Sequence, residues 1–339
     1  MRTVLVTGGA GFIGSHLVDH LLEEGASVRV FDNLSAGSLE NLHAAAQRHS
    51  RIADGSSGIS NGSRLEVIIG DVRDRELLRT ALRNVKYVFH LAGLPPSAVP
   101  ATSPGEMHAV NVEGTLNVLQ GALTEGVWRL VIGSSAAVYG NSERNPLSED
   151  MPVRPDTLFG ASKAAAETYA RAFHVRHQLD TVTLRYFGVY GPRQKATGEG
   201  ALIARLLDAV RQRQPFAERG NRTAVDVLYV DDAVSATLAA ARAPRAGGHV
   251  INVGSGAMVP INEVLDILRD LLRTVSFPAL PRNSEVEPRQ VYAQTTLAAE
   301  LLDFTPRVPL ITGLARTIRS LNELEYAEAN AFARASLDD

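Results

Sequence analysis

The stretch Thr7-Gly8-Gly9-Ala10-Gly11-Phe12-Ile13-Gly14 limits what this chain can fold into more than any other. It follows the short apolar run Val4-Leu5-Val6 and precedes Ser15-His16-Leu17-Val18-Asp19-His20-Leu21-Leu22, whose apolar residues recur at helical spacing. A glycine-rich turn between a buried strand and a helix lets the backbone approach a pyrophosphate, with the helix N-terminus offering unpaired N–H groups and partial positive charge. On its own such a turn also reads as a plain tight loop. A second strand, Ser27-Val28-Arg29-Val30-Phe31, ends at Asp32. An acid about twenty residues past the glycines accepts hydrogen bonds from adenosine ribose hydroxyls and repels a 2′-phosphate. Strand, glycine turn, helix, strand and acid together predict a dinucleotide site that takes NAD rather than NADP.

The strand and helix signals then alternate. A helix is expected over 38–47, strand Leu65-Glu66-Val67-Ile68-Ile69, a helix over 75–82, and strand Tyr87-Val88-Phe89-His90. A long helix over 106–124, strand Trp128-Arg129-Leu130-Val131-Ile132, a helix over 159–177 and a strand over 181–187 follow. Residues 54–63 are glycine- and serine-rich and read as a surface loop. Short apolar strands separated by helices argue for an α/β fold, a doubly wound parallel (Rossmann) sheet covered on both faces. Ligands of such sheets sit at the carboxyl ends of the strands, where Asp32, Asp71, the turn after His90 and Ser134-Ser135 all fall.

After Gly188 the pattern breaks up. Helices are expected over 198–213, 231–242 (with an acidic N-cap), 261–273, 297–302 and 310–321, and strands over 225–229 and 249–253. These segments read as a smaller, interleaved C-terminal lobe. The expected division is an NAD-binding domain over 1–187, with 225–254 returning to it, and a substrate-binding lobe over 188–224 and 255–339.

A net charge of −3 gives no reason to expect nucleic acid, and no apolar run reaches membrane-spanning length. The absence of cysteine excludes disulfides and thiolate chemistry. The nine histidines fall into no metal-ligand spacing, and His16 and His20 read as surface residues. With strand one starting at the N-terminus, no leader is expected, and a cytoplasmic location follows by default.

Several blocks carry a resemblance: the glycine turn, Asp71-Val72, His90-Leu91-Ala92-Gly93, Asn111-Val112-Glu113-Gly114-Thr115, Ser134-Ser135-Ala136-Ala137-Val138-Tyr139-Gly140, Ser162-Lys163, Leu184-Arg185-Tyr186-Phe187-Gly188-Val189-Tyr190-Gly191-Pro192-Arg193 and Tyr229-Val230-Asp231-Asp232. In this order they resemble the extended short-chain dehydrogenase/reductases, especially the nucleotide-sugar epimerases and dehydratases, over nearly the whole chain. The resemblance implies that Gly8, Gly11 and Gly14 hold the pyrophosphate of NAD, with Phe12 and Ile13 beside them. It implies that Asp32 and Asn33 take the ribose, that Asp71 and Val72 flank the adenine, and that Leu91, Ala92 and Gly93 line the nicotinamide half. Asn111, Lys163 and Tyr186 belong to the same cofactor set. Ser134, Ser135, Gly188, Arg193, Arg222 and Arg289 form the implied substrate set for a nucleoside-diphosphate sugar. Ser135 would bond the reacting hydroxyl, although a serine at a strand end also serves as a cap. The implied chemistry is transient oxidation of a sugar carbon, with Lys163 lowering the pKa of a neighbouring acid–base group. The helices over 106–124 and 159–177 resemble the pair through which this family forms homodimers.

The sequence departs from the family where proton transfer is expected. Four residues before Lys163 the family carries a tyrosine, and here stands Phe159. Phenylalanine has no ionisable hydroxyl, and losing a positioned acid–base group costs about 10²–10⁴ in rate. Three explanations are open: a Tyr→Phe variant of an active enzyme, an enzyme whose base has moved, and an NAD/sugar-nucleotide binder without turnover. Tyr139 and Tyr190 are nearby phenols by analogy and read more simply as packing. Gly188 replaces a family asparagine and Val225 a family arginine, both diphosphate contacts. Arg193, Arg222, Arg282 or Arg289 could compensate. Ala136-Ala137 replaces the acids of the dehydratases and decarboxylases. That favours 4-epimerisation over a sugar-nucleotide reductase or dehydrogenase, and over a silent binding protein.

Overall fold

The computed structural model describes residues 3–49, 64–95, 103–142, 144–197, 200–212, 224–272 and 290–335. The expected loop at 54–63 and the arginines Arg222, Arg282 and Arg289 lie outside them.

Strands β1 (Thr3–Thr7), β2 (Ser27–Asp32), β3 (Leu65–Ile69), β4 (Val85–His90), β5 (Arg129–Ser135), β6 (Thr181–Tyr186) and β10 (Val250–Val253) form one seven-stranded sheet in the order β10-β6-β5-β4-β1-β2-β3. Every pairing in it is parallel. The order reverses between β1 and β4, which opens a crevice at their carboxyl ends. Helices α1 (Phe12–Glu23) and α8 (Val230–Arg242) cover one face. On α1 the buried stripe is Leu17, Val18, Leu21 and Leu22. On α8 the stripe is largely alanine (Ala233, Ala236, Ala240), which permits close approach to the sheet. Helices α3 (Arg75–Leu82), α5 (Gly114–Thr124) and α6 (Leu158–His177) cover the other face.

The expected helix over 38–47 is a 3₁₀ turn, Leu39–Leu42, capped by Ser38, followed by α2 (His43–His49). The long helix runs from α4 (Pro104–His108) through one π turn at Ala109–Glu113 into α5.

The expected strand over 225–229 is two strands in two different sheets. β8 (Ala224–Val225) lies between β11 (Val259–Pro260) and β12 (Gln290–Val291), and β9 (Val227–Tyr229) pairs with β7 (Gly188–Tyr190). Asp226 causes the break. Its buried carboxylate accepts from Ser255 N at 2.6 Å, Ser255 Oγ at 2.7 Å, Ala293 N at 2.9 Å and Gly256 N at 3.2 Å. Nor is Asp231 an N-cap: α8 starts at Val230 after Tyr229, with no side-chain cap. The Asp232 carboxylate instead accepts Arg307 N at 3.0 Å and Val308 N at 2.9 Å, fastening the approach to α11 (Leu310–Ala335). Helices α7 (Leu202–Gln212), α9 (Ile261–Leu272) and α10 (Thr296–Leu302), with a 3₁₀ turn at Ala136–Tyr139, complete the described elements. No helix among the described residues is long and apolar enough to cross a membrane.

Arg129 ties the first residue of β5 to the C-terminus of α8. It donates to Ala240 O at 2.9 Å and Ala243 O at 2.6 Å, and pairs with Asp180 at 2.7 Å. A cation at a helix C-terminus is favourable, and this one is almost fully buried. Arg129→Ala leaves those carbonyls without a donor and should destabilise the fold by about 3 kcal/mol in urea unfolding.

Candidate active site

Two cavities lie at the carboxyl edge of the sheet. The smaller, about 70 Å³, is lined by Gly8, Gly11, Asp32, Asn33, Gly37, Gly70, Val72, Leu91, Ala92, Gly93 and Val110 among others. The turn that shapes it has no room for side chains. A Cβ on Gly8, whose φ is +72°, would stand 2.6 Å from Ala92 N, and one on Gly14 would stand 2.1 Å from Gly8 O. Gly11 lines the cavity as the N-cap of α1 and no side chain caps the helix, so the N–H groups of its first turn are unclaimed by intrahelical acceptors. Asp32 is held from both sides, accepting Ala10 N at 3.0 Å and Leu34 N at 2.8 Å. Burial pushes its carboxyl up, and these two donors work against that shift. Residues of this kind fit a dinucleotide: a side-chain-free turn for a pyrophosphate, a helix end, and a fixed acid for a ribose.

Asp71 stands beside this cavity. Its carboxylate accepts from Arg73 Nε at 2.9 Å and Nη2 at 2.7 Å and from Asn33 Nδ2 at 2.8 Å. The Arg73 hydrogen bonds hold its pKa down to about 2.

Under the cavity floor runs a polar chain whose direction can be read. Thr115 Oγ1 donates to Asn111 O at 2.6 Å, so it must accept from His90 Nε2 at 2.9 Å. His90 is therefore the Nε2–H tautomer, and Nδ1 accepts from Thr7 Oγ1 at 2.7 Å. Burial drives the His90 pKa down to about 3, in keeping with a neutral ring. Asn111 Oδ1 accepts Leu94 N at 2.7 Å, and Nδ2 donates to Leu94 O at 3.2 Å and to Ser162 Oγ at 3.0 Å. Ser162 in turn donates to Phe159 O at 2.8 Å. Asn111, expected as a cofactor contact, is 1% exposed, and its amide is spent on this chain. It holds the loop that lines the cavity rather than reaching into it.

The larger cavity, about 200 Å³, is lined by Ser135, Ala136, Ala137, Gly140, Asp156, Thr157, Phe159, Tyr186, Phe187, Gly188, Tyr190, Leu202, Ile203 and Ala224–Val227, with Val291. Ser135, at the end of β5, accepts Ala137 N at 3.2 Å, so it caps the following turn and also lines the wall. Phe159 and Lys163 lie one turn apart on α6, with Lys163 Nζ 5.8 Å from the Phe159 ring centre. The ammonium donates to Gly133 O at 2.9 Å and lies 3.2 Å from where a Cβ on Gly93 would stand. It thus sits between the two cavities, and burial lowers its pKa to about 8.

Other expected residues lie elsewhere. Ser134 points away from the cavity and donates to Glu167. Arg193 pairs with Asp19 of α1 at 2.8 Å instead of lining the cavity. Next to it, His16 is no surface residue: its Nε2 meets Pro192 O at 3.0 Å and burial lowers its pKa. Tyr186 lines the cavity with its ring, while its hydroxyl is buried against Thr237 at 2.7 Å. Tyr139 donates to Asn252 Oδ1 at 2.7 Å and Tyr190 to Leu310 O at 3.3 Å, both packing roles. Phe12 stacks edge-on against His16, and Ile13 packs against the core behind α1. Gly188 lines the cavity, and a Cβ there would stand 2.4 Å from Asp226 O. Sequence reading missed Glu167 and Arg185, which make a buried ion pair behind Ser134. The one signal was the charge of Arg185 in the wholly buried strand β6; Glu167 lies on a helix that carries several other charges.

A sequence model described as the NAD dependent epimerase/dehydratase family matches residues 4–254. The chain belongs to that family. A UDP-glucose 4-epimerase of Mycolicibacterium smegmatis is 34% identical over 325 residues, covering 94% of this chain and 97% of the relative. The solved UDP-N-acetylglucosamine 4-epimerase of Methanobrevibacter ruminantium, in complex with UDP-N-acetylmuramic acid, superposes with a TM-score of 0.83 at 29% identity, covering 95% and 99% of the two chains. A tyrosine-to-phenylalanine mutant of the Bacillus cereus UDP-glucuronic acid 4-epimerase, in complex with NAD and a 4-deoxy-4-fluoro substrate analogue, also gives 0.83, at 26% identity over 95% and 100% of the chains. The family is NAD-dependent, and NAD is the cofactor.

His90 gives this site a pH signature. Its pKa is about 3 in the fold and ordinary, near 6.5, when unfolded. Below pH 6.5 the unfolded chain therefore binds the extra proton, and stability falls as pH drops toward 3. His90→Gln should remove a slope of about 1.4 kcal/mol per pH unit in that window, read from urea midpoints between pH 4 and 7.

Proposed function

We propose that this protein is a nucleoside-diphosphate-sugar 4-epimerase that has lost the proton-transferring phenol of its active site. The observation that carries the reading is that Ser135 and Phe159 line the larger cavity while Lys163, beside Phe159, also reaches Gly93 of the smaller one. NAD, when bound, supplies a hydride acceptor and returns the hydride. The chain must hold the sugar hydroxyl, orient the cofactor ribose and move one proton. Lys163 takes the ribose role, a cation at the seam between the cavities. Ser135 Oγ takes the sugar hydroxyl. Phe159 fills the ring slot and excludes water, but has no oxygen with which to accept the proton. Ala136 and Ala137 put no second acid–base pair on the wall, which supports chemistry at a single carbon. Gly8, Gly11, Gly14 and Asp32 with Asn33 serve the pyrophosphate and ribose, and Val72, Leu91, Ala92 and Gly93 serve the two rings.

Epimer formation followed by NMR on a panel of UDP- and dTDP-sugars tests this reading. Phe159→Tyr should raise turnover on one sugar by about 10²–10⁴. Equal turnover by both forms would mean a relocated base, with Ser135 the next target. No turnover by either, with NAD bound, would make the protein a binder.

A homodimer in the cytoplasm is part of the same proposal. The dimer is supported by the exposed apolar side chains Leu123 on α5 and Tyr169 and Val175 on α6, the helices that resemble the family's pairing helices. Light scattering at micromolar concentration should give twice the chain mass of 36.4 kDa.

A further inference from the structure

Behind the candidate active site lies a charged cluster sealed from water. Arg185 on β6 is 3% exposed, Glu167 on α6 and Ser134 on β5 each 6%. Glu167 Oε2 accepts from Arg185 Nη2 at 2.7 Å, and Oε1 accepts from Arg185 Nε at 3.0 Å and from the Ser134 hydroxyl. On its other side the Arg185 guanidinium lies 4.6 Å from the centre of the Tyr139 ring. Burying two charges costs several kcal/mol that an apolar pair of similar volume would not. Packing alone does not account for the cluster.

Its position suggests what it does. Phe159, Lys163 and Glu167 are spaced four apart on one helix, so they form a single row on the face turned to the sheet. Ser134 follows Gly133, whose carbonyl accepts from Lys163. Glu167 is thus fixed by the strand residue adjacent to the one that fixes Lys163. The groups facing Lys163 from other elements are His90 of β4, a neutral ring, Asn111 of the π turn, and Arg185, which stands beyond the Glu167 carboxylate.

We propose that Glu167 is a positioning residue for Lys163: a carboxylate clamped by Ser134 and Arg185 one turn along α6, which keeps the lysine an ammonium aimed at the seam between the two cavities. Arg185 holds the carboxylate in place through its Nε and Nη2 hydrogen bonds. This rests on the reading of Lys163 as a cofactor-ribose group. Burial works against the ammonium, and the field of Glu167 opposes burial.

The test is the pH dependence of NAD⁺ affinity, measured by fluorescence or calorimetric titration from about pH 6.5 to about 9.5. In this chain, affinity should fall with a midpoint near the Lys163 value of about 8. Glu167→Gln should move the midpoint down by about one pH unit, and Glu167→Asp should return it most of the way. Arg185→Gln should move it the opposite way, upward, because the carboxylate's field is then unshared. If either single change leaves a buried charge that prevents folding, Glu167→Gln combined with Arg185→Gln removes both charges and should still lower the midpoint, by less. A cluster that merely packs would weaken binding equally at every pH and leave the midpoint where it was, and that result in the double variant overturns the proposal. Lys163→Met separates the two levels. If the pH step survives that change, the reading of Lys163 as the cofactor group fails; if the step vanishes there but ignores Glu167, only the positioning role fails.

Discussion

The hydrogen-bond chain from Thr7 through His90, Thr115 and Asn111 to Ser162 and Phe159 O joins everything the site needs. It starts on the strand that leads into the glycine turn. It crosses the strand-order reversal between β1 and β4, fixes the loop at Leu94, and ends on the first turn of α6. Thr7, His90, Asn111, Thr115 and Ser162 are buried, and because Thr115 donates to Asn111 O the chain has one direction and His90 one tautomer. Low dielectric makes such a chain strong when complete and costly when interrupted. The cofactor cavity and the helix that carries Phe159 and Lys163 are therefore positioned by the same bonds, and neither can shift alone.

The parallel sheet, its switch point and the dinucleotide turn could be read in the sequence because they depend on local signals. Apolar runs of strand length, glycines where a Cβ would strike backbone, and an acid at the end of β2 each leave a mark within a few residues. What could not be read depends on contacts distant in the chain. Asp226 breaks a strand because Ser255, Gly256 and Ala293 supply its donors, from some thirty and sixty-seven residues away. Asp232 is recruited by the backbone of Arg307 and Val308 in place of capping its own helix. Arg193 and His16 could pass for solvated side chains, but Arg193 pairs with Asp19 of α1 and His16 of α1 meets Pro192 O, across some 175 residues of chain. Ser134 and Ser135 are adjacent, so the alternation of a strand sends one to the helix side and the other to the cavity. Motif reading groups them together, whereas the pleat separates them.

On the proposed reading, the site combines an intact cofactor half with an altered reacting half. All the glycine, acid and small-residue positions around the smaller cavity keep the chemistry a dinucleotide needs. Around the larger one, the phenol is a phenyl ring, and Val225 and Gly188 stand where diphosphate contacts are expected. Lys163 lies between the two, with its ammonium on Gly133 O and the buried Glu167 one turn along the same helix. Selection on the cofactor side and relaxation or redesign on the substrate side would leave this combination.

Gly188 carries one more consequence. Its backbone N–H donates to Asp226 O at 3.1 Å, the same oxygen that a Cβ would strike. Any side chain at 188 must push β9 away, and β9 is moored through the Asp226 carboxylate to the segments around Ser255 and Ala293. The residue that would reach a diphosphate from position 188 is thus mechanically linked to the three-stranded sheet on the far side of the cavity. A change of ligand contact at 188 therefore also moves the backbone at 226, and with it the contacts that Asp226 makes to the 255 and 293 segments.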